Sequence, residues 1–243
     1  MTNILQDSGE RIIPPQEGEV SVVFEHHKFT YDVTSKHIFN KDVLDVGCGT
    51  GYGAAILANH ARTVTGIDYH IPALEYCKNI YSANNIAYSG MEAVSLAFKD
   101  DCFDIATSFQ VIEHISDVRK FLKELKRVVK PGGLIFISTP NVSDKAKKSS
   151  NNSFHVNEMS YYGLNELLTS EFNSFKIEGQ TYSSGGVLKT MIRKLPLYNW
   201  GAMLKRNSKF KKYVSQILGL TSYTSTIKGA ATSMDLYAIC NNN

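Results

Sequence analysis

The sequence predicts an α/β fold with a mostly parallel sheet, and three observations support this prediction. An apolar strand at residues 43–46 runs into alternating glycines and then into a helix. A second apolar strand, residues 63–68, ends in Asp68, 23 residues after Asp45. Strands alternating with helices form βαβ units, which pair in parallel. The strands expected after these two lie at 86–90, 103–109, 134–138, 172–181 and 233–240. Seven strands in this order indicate a Rossmann-like sheet.

Helical periodicity fills the segments between the strands. Residues 71–83 and 160–169 are expected to be helical, and so are the residues after the glycines. Ser116 or Asp117 is placed to cap a further helix that ends near Lys130. Its apolar stripe consists of Val118, Phe121, Leu122, Leu125, Val128 and Val129. The sequence Pro131-Gly132-Gly133 is expected to end this helix before the fifth strand.

Composition indicates a globular protein. The chain has 243 residues, of which 43% are hydrophobic and 20% are charged. It lacks a run of about 18 apolar residues, so we expect no membrane span. The first ten residues lack the basic and apolar regions of a signal peptide. The four scattered cysteines favour a reducing, cytoplasmic location over a disulfide framework or a cysteine zinc site.

The glycines predict a nucleotide site. Gly47, Gly49 and Gly51 can adopt positive φ and allow a ligand to lie against bare backbone. The helix that follows offers free N–H groups at its start. A dinucleotide site would have G-x-G-x-x-G, whereas this chain has G-x-G-x-G with Asp45 two residues before it. The carboxylate would repel a pyrophosphate and attract a cation, which disfavours a dehydrogenase.

The heptapeptide Asp45-Val46-Gly47-Cys48-Gly49-Thr50-Gly51 resembles the first motif of class I S-adenosylmethionine (SAM) methyltransferases. The resemblance extends over residues 40–181 and the last strand. Within this family the chain is similar to the ubiquinone-biosynthesis-like group of small-molecule O-methyltransferases. It implies that the seventh strand inserts antiparallel beside the sixth. It also implies that the acid faces the methionine end of SAM and that the glycines pass under the ribose. The cofactor contacts expected from this motif are Asp45, Gly47, Cys48, Gly49 and Gly51.

Further cofactor contacts follow along the chain. Asp68 is placed to accept hydrogen bonds from both ribose hydroxyls, and Tyr69 could pack on the adenine. Glu92 and Ala93 resemble the acid-then-small pair of the family, which implies that Glu92 binds the adenine amino group. Gln110, at the end of the fourth strand, lies at the same sheet edge and is also expected to contact the cofactor.

Four segments are expected. Residues 1–40 form an N-terminal lid with a helix in 20–40, residues 41–181 the SAM-binding core, residues 182–228 a basic cap, and residues 229–243 the last strand and tail. The lid histidines, His26 and His27, are expected to be solvated, although Arg11 and Tyr31 could reach a ligand. The cap carries nine Lys or Arg and no acid, so the rest of the chain has a net charge of −6. Short helices are expected in the cap at 187–194 and 202–218.

The candidate catalytic residues are Glu113 and His114, after the fourth strand, and His155 in the next loop. A histidine at this edge suits a general base, which Glu113 could orient, but the Glu-His pair is also common in the family without a catalytic duty. The residues Gln110, Glu113, His114 and His155 also resemble a divalent-metal site in ubiquinone-biosynthesis O-methyltransferases and small-RNA 2′-O-methyltransferases. The chain departs from that pattern in having Gln110 where glutamate stands.

The resemblance implies methyl transfer from SAM, giving S-adenosylhomocysteine (SAH), to a hydroxyl of a sugar, glycan or secondary metabolite. The alternatives are N-methylation, 2′-O-methylation of RNA, and a SAM-binding regulatory protein without turnover. The basic segment 182–228 favours an anionic acceptor or contact with a membrane surface. With a modest pI and without an RNA-binding module, nucleic acid ranks below a small molecule or glycan.

Overall fold

The computed structural model describes residues 11–15, 21–142, 154–183, 222–226 and 230–243. The strands are β1 (Asp42–Val46), β2 (Thr63–Asp68), β3 (Ile86–Gly90), β4 (Phe103–Phe109), β5 (Val129–Pro140), β6 (Phe175–Ser183), β7 (Ser222–Thr226) and β8 (Asp235–Asn242). The helices are α1 (Val22–Thr34), α2 (Tyr52–Ala58), α3 (Ile71–Ile80), α4 (Val118–Val128) and α5 (Tyr161–Glu171). Short 3₁₀ turns lie at Ser35–His37, Ile112–His114 and Ala230–Thr232. None of the helices in these described ranges is long and apolar enough to cross a membrane.

The strands form one sheet in the order β3-β2-β1-β4-β5-β8-β6-β7. The strands from β3 to β5 pair in parallel. Strand β8 inserts between β5 and β6 and is antiparallel to both. The predicted seven-stranded, mostly parallel, Rossmann-like sheet with an antiparallel last strand is therefore confirmed.

The structure adds an eighth strand within the segment predicted to be a helical cap. Strand β7 pairs antiparallel with β6, from Gly179 opposite Thr226 to Ser183 opposite Ser222. The end of the basic segment therefore extends the sheet. The sequence 222–226 contains one tyrosine and two threonines, which favour strands over helices. The helices predicted at 187–194 and 202–218 lie outside the described residues, and the domain boundaries stay predictions.

Strand β5 begins five residues earlier than predicted. Val129 already pairs with Phe103, and the register then shifts before Leu134 pairs with Ile105. Gly132 takes up this irregularity with φ of +80°. The Pro-Gly-Gly segment was predicted as a break between helix and strand, but it lies within the strand as a bulge.

Helices cover both faces of the sheet. On one face α4 and α5 bury Phe121, Leu122, Leu164 and Leu168 against the strands. On the other face α1, α2 and α3 bury Tyr31, Leu57 and Leu74. The carboxyl ends of the central parallel strands are left open between these layers, which is where ligands bind in such sheets.

Polar side chains hold α1 to the sheet. They lie four residues apart, at His26, Thr30 and Thr34, so they share one side of the helix. Each hydrogen-bonds a residue of β6 or β8: His26 with Asp235, Thr30 with Gln180 at 3.0 Å, and Thr34 with Tyr237 at 2.8 Å. The predicted N-terminal helix is thus fixed across the sheet by a polar stripe.

Asp45 joins the same helix to the centre of the sheet. Its carboxylate is fully buried and accepts hydrogen bonds from Thr107 Oγ1 at 2.7 Å and from the Tyr31 hydroxyl at 3.4 Å. Burial raises the pKa of Asp45 to about 7, although the hydrogen bonds from Thr107 and Tyr31 oppose this shift. The acid is therefore partly protonated near neutral pH in the folded chain without ligand.

We expect Asp45→Asn to change how stability depends on pH. The pKa of Asp45 is higher in the folded chain than in the unfolded chain, so its contribution is fully present below about pH 4 and is lost as pH rises through about 7. Relative to the variant, the wild type should lose roughly 2–3 kcal/mol of unfolding free energy between pH 5 and pH 8. Urea unfolding of both proteins across this range measures the difference. Parallel pH profiles would contradict the prediction.

Candidate functional site

A cavity of about 630 Å³ opens at the carboxyl ends of the central strands. Its size suits a nucleoside-sized ligand. The wall is built from α1, from the loop after β1, from the ends of β2 and β4, and from the turn after β3. The residues that line it include Arg11, His27, Tyr31, Gly47, Cys48, Gly49, Asp68, Tyr69, Glu92, Ala93, Phe109, Gln110, Val111, His114 and Phe154.

The loop after β1 can form this wall only because it lacks side chains at the glycines. Gly47 and Gly51 have φ of +74° and +81°. A Cβ on Gly47 would lie 2.4 Å from Cγ2 of Val111, and one on Gly51 would lie 2.7 Å from Sγ of Cys77. The loop is therefore closely packed from behind, and it presents backbone to the cavity.

Asp68 holds this loop against the end of β2. Its Oδ2 accepts a hydrogen bond from Gly49 N at 3.0 Å, and its Oδ1 accepts one from His70 N at 2.9 Å. Each carboxylate oxygen has a second lone pair, so Asp68 can still accept hydrogen bonds from a ligand. Tyr69 is 68% exposed beside it, and Glu92 and Ala93 lie on the wall after β3.

Two of the predicted cofactor residues, Asp45 and Gly51, do not line the cavity. Asp45 lies behind the wall, where Thr107 and Tyr31 bind it. Gly51 precedes α2 and packs against Cys77. Direct contact of either residue with a ligand stays a prediction, whereas Gly47, Cys48, Gly49, Asp68, Tyr69, Glu92, Ala93 and Gln110 all reach the wall.

Gln110 adopts a backbone conformation that is unusual for a residue with a side chain. Its φ is +55°, and its N–H donates to the Ser138 carbonyl at 3.0 Å. Its Nε2 donates to Ser138 Oγ at 3.4 Å. Such conformations cost free energy and occur often at functional sites. Here the turn redirects the chain from β4 into the segment that carries Glu113 and His114.

The predicted catalytic residues come together at the edge of the cavity. The ligand atoms of Glu113, His114 and His155 all lie within 4.8 Å of one another. The N–H groups of Val156 and Asn157 donate to the Glu113 carbonyl, both at 2.9 Å, which holds the segment after Phe154 against the turn after β4. Of these three residues, His114 lines the cavity.

Hydrogen bonds set the orientation of both imidazoles. Nδ1 of His114 lies 3.1 Å from the Phe154 carbonyl, which can only accept, so Nδ1 donates this hydrogen bond. Nδ1 of His155 lies 3.0 Å from Oε1 of Glu158, and Thr139 Oγ1 donates to Glu113 Oε2 at 3.2 Å. Such partners typically orient the histidine ligands of a metal.

The lid histidines are not solvated as predicted. His26 binds Asp235, and His27 lines the cavity one turn before Tyr31. Arg11 also reaches the wall. The four-residue spacing of His27 and Tyr31 could have revealed this arrangement, because it places both residues on one side of a helix.

Comparison with known proteins agrees with this geometry. Residues 44–137 match the family described as a methyltransferase domain. A probable SAM-dependent methyltransferase of Mycolicibacterium smegmatis is 35% identical over 70% of this chain and 65% of its own length. A ubiquinone biosynthesis O-methyltransferase of Coxiella burnetii is 37% identical over 44% of this chain and 46% of its own length. The chain thus spans less than two thirds of either relative.

Solved structures share the fold at low sequence identity. The YcgJ protein from Bacillus subtilis has a TM-score of 0.58 and 18% identity, over 88% of this chain and 98% of its own. The [4+2]-cyclase SpnF has a TM-score of 0.57 and 20% identity, over 93% of this chain and 84% of its own. The fold by itself therefore does not fix the reaction. Together with the glycine motif and the matched family, however, it shows that the chain carries the domain and the fold of the class I SAM-dependent methyltransferases.

Proposed function

We propose that this chain transfers a methyl group from SAM to a hydroxyl of a small molecule, such as a sugar, a glycan or a secondary metabolite, and releases SAH. The observation that carries the proposal is the arrangement around Asp68. Its carboxylate lies at the end of β2, faces the cavity and is anchored to the glycine loop through Gly49. A carboxylate held in this way suits the two hydroxyls of a ribose.

Other residues of the cavity wall suit the adenine ring of the cofactor. Glu92 can accept hydrogen bonds from the adenine amino group, and Tyr69 offers an aromatic face nearby. In the reaction the acceptor oxygen attacks the methyl carbon, the carbon–sulfur bond breaks, and the sulfur keeps the electron pair as a neutral thioether. The acceptor loses its proton. The protein must hold the two reactants in line and receive that proton.

The Coxiella relative, which is named as an O-methyltransferase, supports a hydroxyl as the acceptor. His114 lines the cavity, and an imidazole there could receive the acceptor proton, with Glu113 and His155 beside it. An amine, the 2′-hydroxyl of RNA, and SAM binding without turnover remain the alternatives. SAH release in the presence of a panel of hydroxyl and amine compounds would distinguish them.

Glu113, His114 and His155 also fit a divalent cation. One carboxylate and two oriented imidazoles suit Mn²⁺, Fe²⁺ or Zn²⁺. A bound cation would lower the pKa of an acceptor hydroxyl. Gln110, the fourth predicted ligand, lies on the cavity wall, where its Nε2 donates to Ser138. Its part in such a site stays a prediction.

We also propose an anionic acceptor and a reducing cellular compartment. The nine cations of residues 182–228 favour an acceptor that bears a carboxylate or phosphate, or a peripheral contact with an anionic membrane. Cys48, Cys77, Cys102 and Cys240 are free thiols, which supports a reducing compartment such as the cytoplasm.

We expect Asp68→Ala to weaken SAH binding by roughly tenfold or more, because hydrogen bonds to a charged group contribute about 1.5–3 kcal/mol. Isothermal titration calorimetry of the wild type and the variant measures this change. Glu75→Gln, on the exposed side of α3, is the matched control and should bind SAH as the wild type does. If the wild type binds neither SAM nor SAH, the proposed function is wrong.

If Glu113, His114 and His155 hold a cation, the wild type should bind Mn²⁺ in a calorimetric titration. His155→Ala should then weaken Mn²⁺ binding by roughly tenfold or more. His155 does not line the cavity, so SAH affinity should change little in this variant. His37→Ala, which alters an exposed histidine away from the site, should leave Mn²⁺ binding unchanged. Equal Mn²⁺ binding by all three proteins would rule out this site.

A further inference from the structure

His27 lies in the half of the cavity next to β4. It precedes Tyr31 by one turn of α1, and the Tyr31 ring packs against Phe109, at the end of β4, with centroids 4.8 Å apart. Asp68 and Glu92 follow β2 and β3, which lie on the other side of β1 in the sheet. His27 therefore lies on the β4 side, away from the half that suits adenosine.

The His27 ring has no hydrogen-bond partner within the part of the chain that the structure describes. A neutral imidazole has one donor and one acceptor. His27 is half-buried and lines the cavity, and a polar group without a protein partner usually bonds water or a ligand. The His27 ring lines the cavity, so it can hydrogen-bond water or a ligand there.

The environment keeps this ring neutral. Burial lowers the pKa of His27 to about 4, with the nearby Asp235 opposing the shift and His26 adding to it. At physiological pH the ring therefore offers a lone pair to the cavity. A neutral imidazole can accept a hydrogen bond from a hydroxyl, which a protonated one could not do.

The neighbours of His27 hold it in place. His26 is bound to Asp235 of β8, and Thr30 is bound to Gln180 of β6. Tyr31, on the same side of the helix as His27, reaches Asp45 in β1. The backbone on both sides of His27 is thus tied to the sheet, so the position of its ring over the cavity is fixed before a ligand enters.

We propose that His27 binds the methyl acceptor by accepting a hydrogen bond from the hydroxyl that becomes methylated. This inference rests on the proposed function and adds the residue that places the acceptor. The acceptor oxygen then points a lone pair at the methyl carbon. As the carbon–oxygen bond forms and the carbon–sulfur bond breaks, the hydroxyl proton passes to the His27 imidazole, in place of His114, and then to solvent. A carboxylate acceptor lacks this proton, so the site selects hydroxyls over carboxylates.

The first experiment separates the acceptor from the cofactor. SAH is titrated calorimetrically into the wild type, His27→Leu, His27→Gln and the control His60→Gln, which alters an exposed histidine outside the cavity. We expect all four dissociation constants to agree within about twofold, since His27 should not touch SAH. No binding by the wild type would overturn the proposed function. A tenfold loss confined to both His27 variants would overturn the inference alone.

The second experiment tests the acceptor directly. With a hydroxyl compound that the wild type methylates, His27→Leu should lower kcat/KM by roughly tenfold or more, and His27→Gln should retain part of the activity because its amide oxygen can accept the same bond. Equal kcat/KM in all variants would overturn the inference. A crystal structure of the wild-type SAH complex tests it independently of any acceptor. The His27 ring should hydrogen-bond water or buffer beyond the sulfur, and a bond to SAH or to a protein group would contradict the inference.

Discussion

The close packing behind the glycine loop is the constraint on which the site depends. Val111 and Cys77 leave no room for a Cβ at Gly47 or Gly51, so the path that the loop takes between β1 and α2 requires glycine at both positions. That path brings Gly49 N to the Asp68 carboxylate and thereby fixes the relative positions of the ends of β1 and β2. Val111 belongs to the segment after β4, so the same packing also sets where His114 can lie.

The lid helix adds a second level of order. Its polar stripe hydrogen-bonds β6 and β8, and none of the side chains described in these two strands lines the cavity. The next side of the helix, with His27 and Tyr31, faces the cavity. The two sides of α1 thus have separate tasks. One side attaches the helix to the sheet through hydrogen bonds that a ligand does not need to break. The other side presents the His27 imidazole, which can hydrogen-bond a ligand in the cavity.

Much of this architecture could be predicted because strand and helix periodicities report burial directly. Strands β3 and β4 have the predicted bounds, and Gly47, Gly49, Asp68 and Glu92 reach the cavity wall. Patterns of neighbouring residues could not predict the features that depend on contacts between residues far apart in the sequence. The motif could not show that Asp45 is enclosed by Thr107 and Tyr31, which lie 62 and 14 residues away, and its contact with a ligand stays a prediction. The spacing of His27 and Tyr31 places both residues on one side of α1, but it does not tell which part of the sheet that side faces. Strand β7 was missed because its pairing with β6 is not local.

The order of strands in the sheet has a consequence for the synthesis of the chain. Strand β6 reaches the parallel strands only through β8, which is translated after every other described strand. Until β8 emerges from the ribosome, β5 has an unpaired edge, and the β6–β7 hairpin has nothing to dock against. Since two of the three anchors of α1, Asp235 and Tyr237, also belong to β8, the lid can settle only after that strand is in place. The nascent chain should therefore be unable to enclose a ligand before translation of this strand is complete.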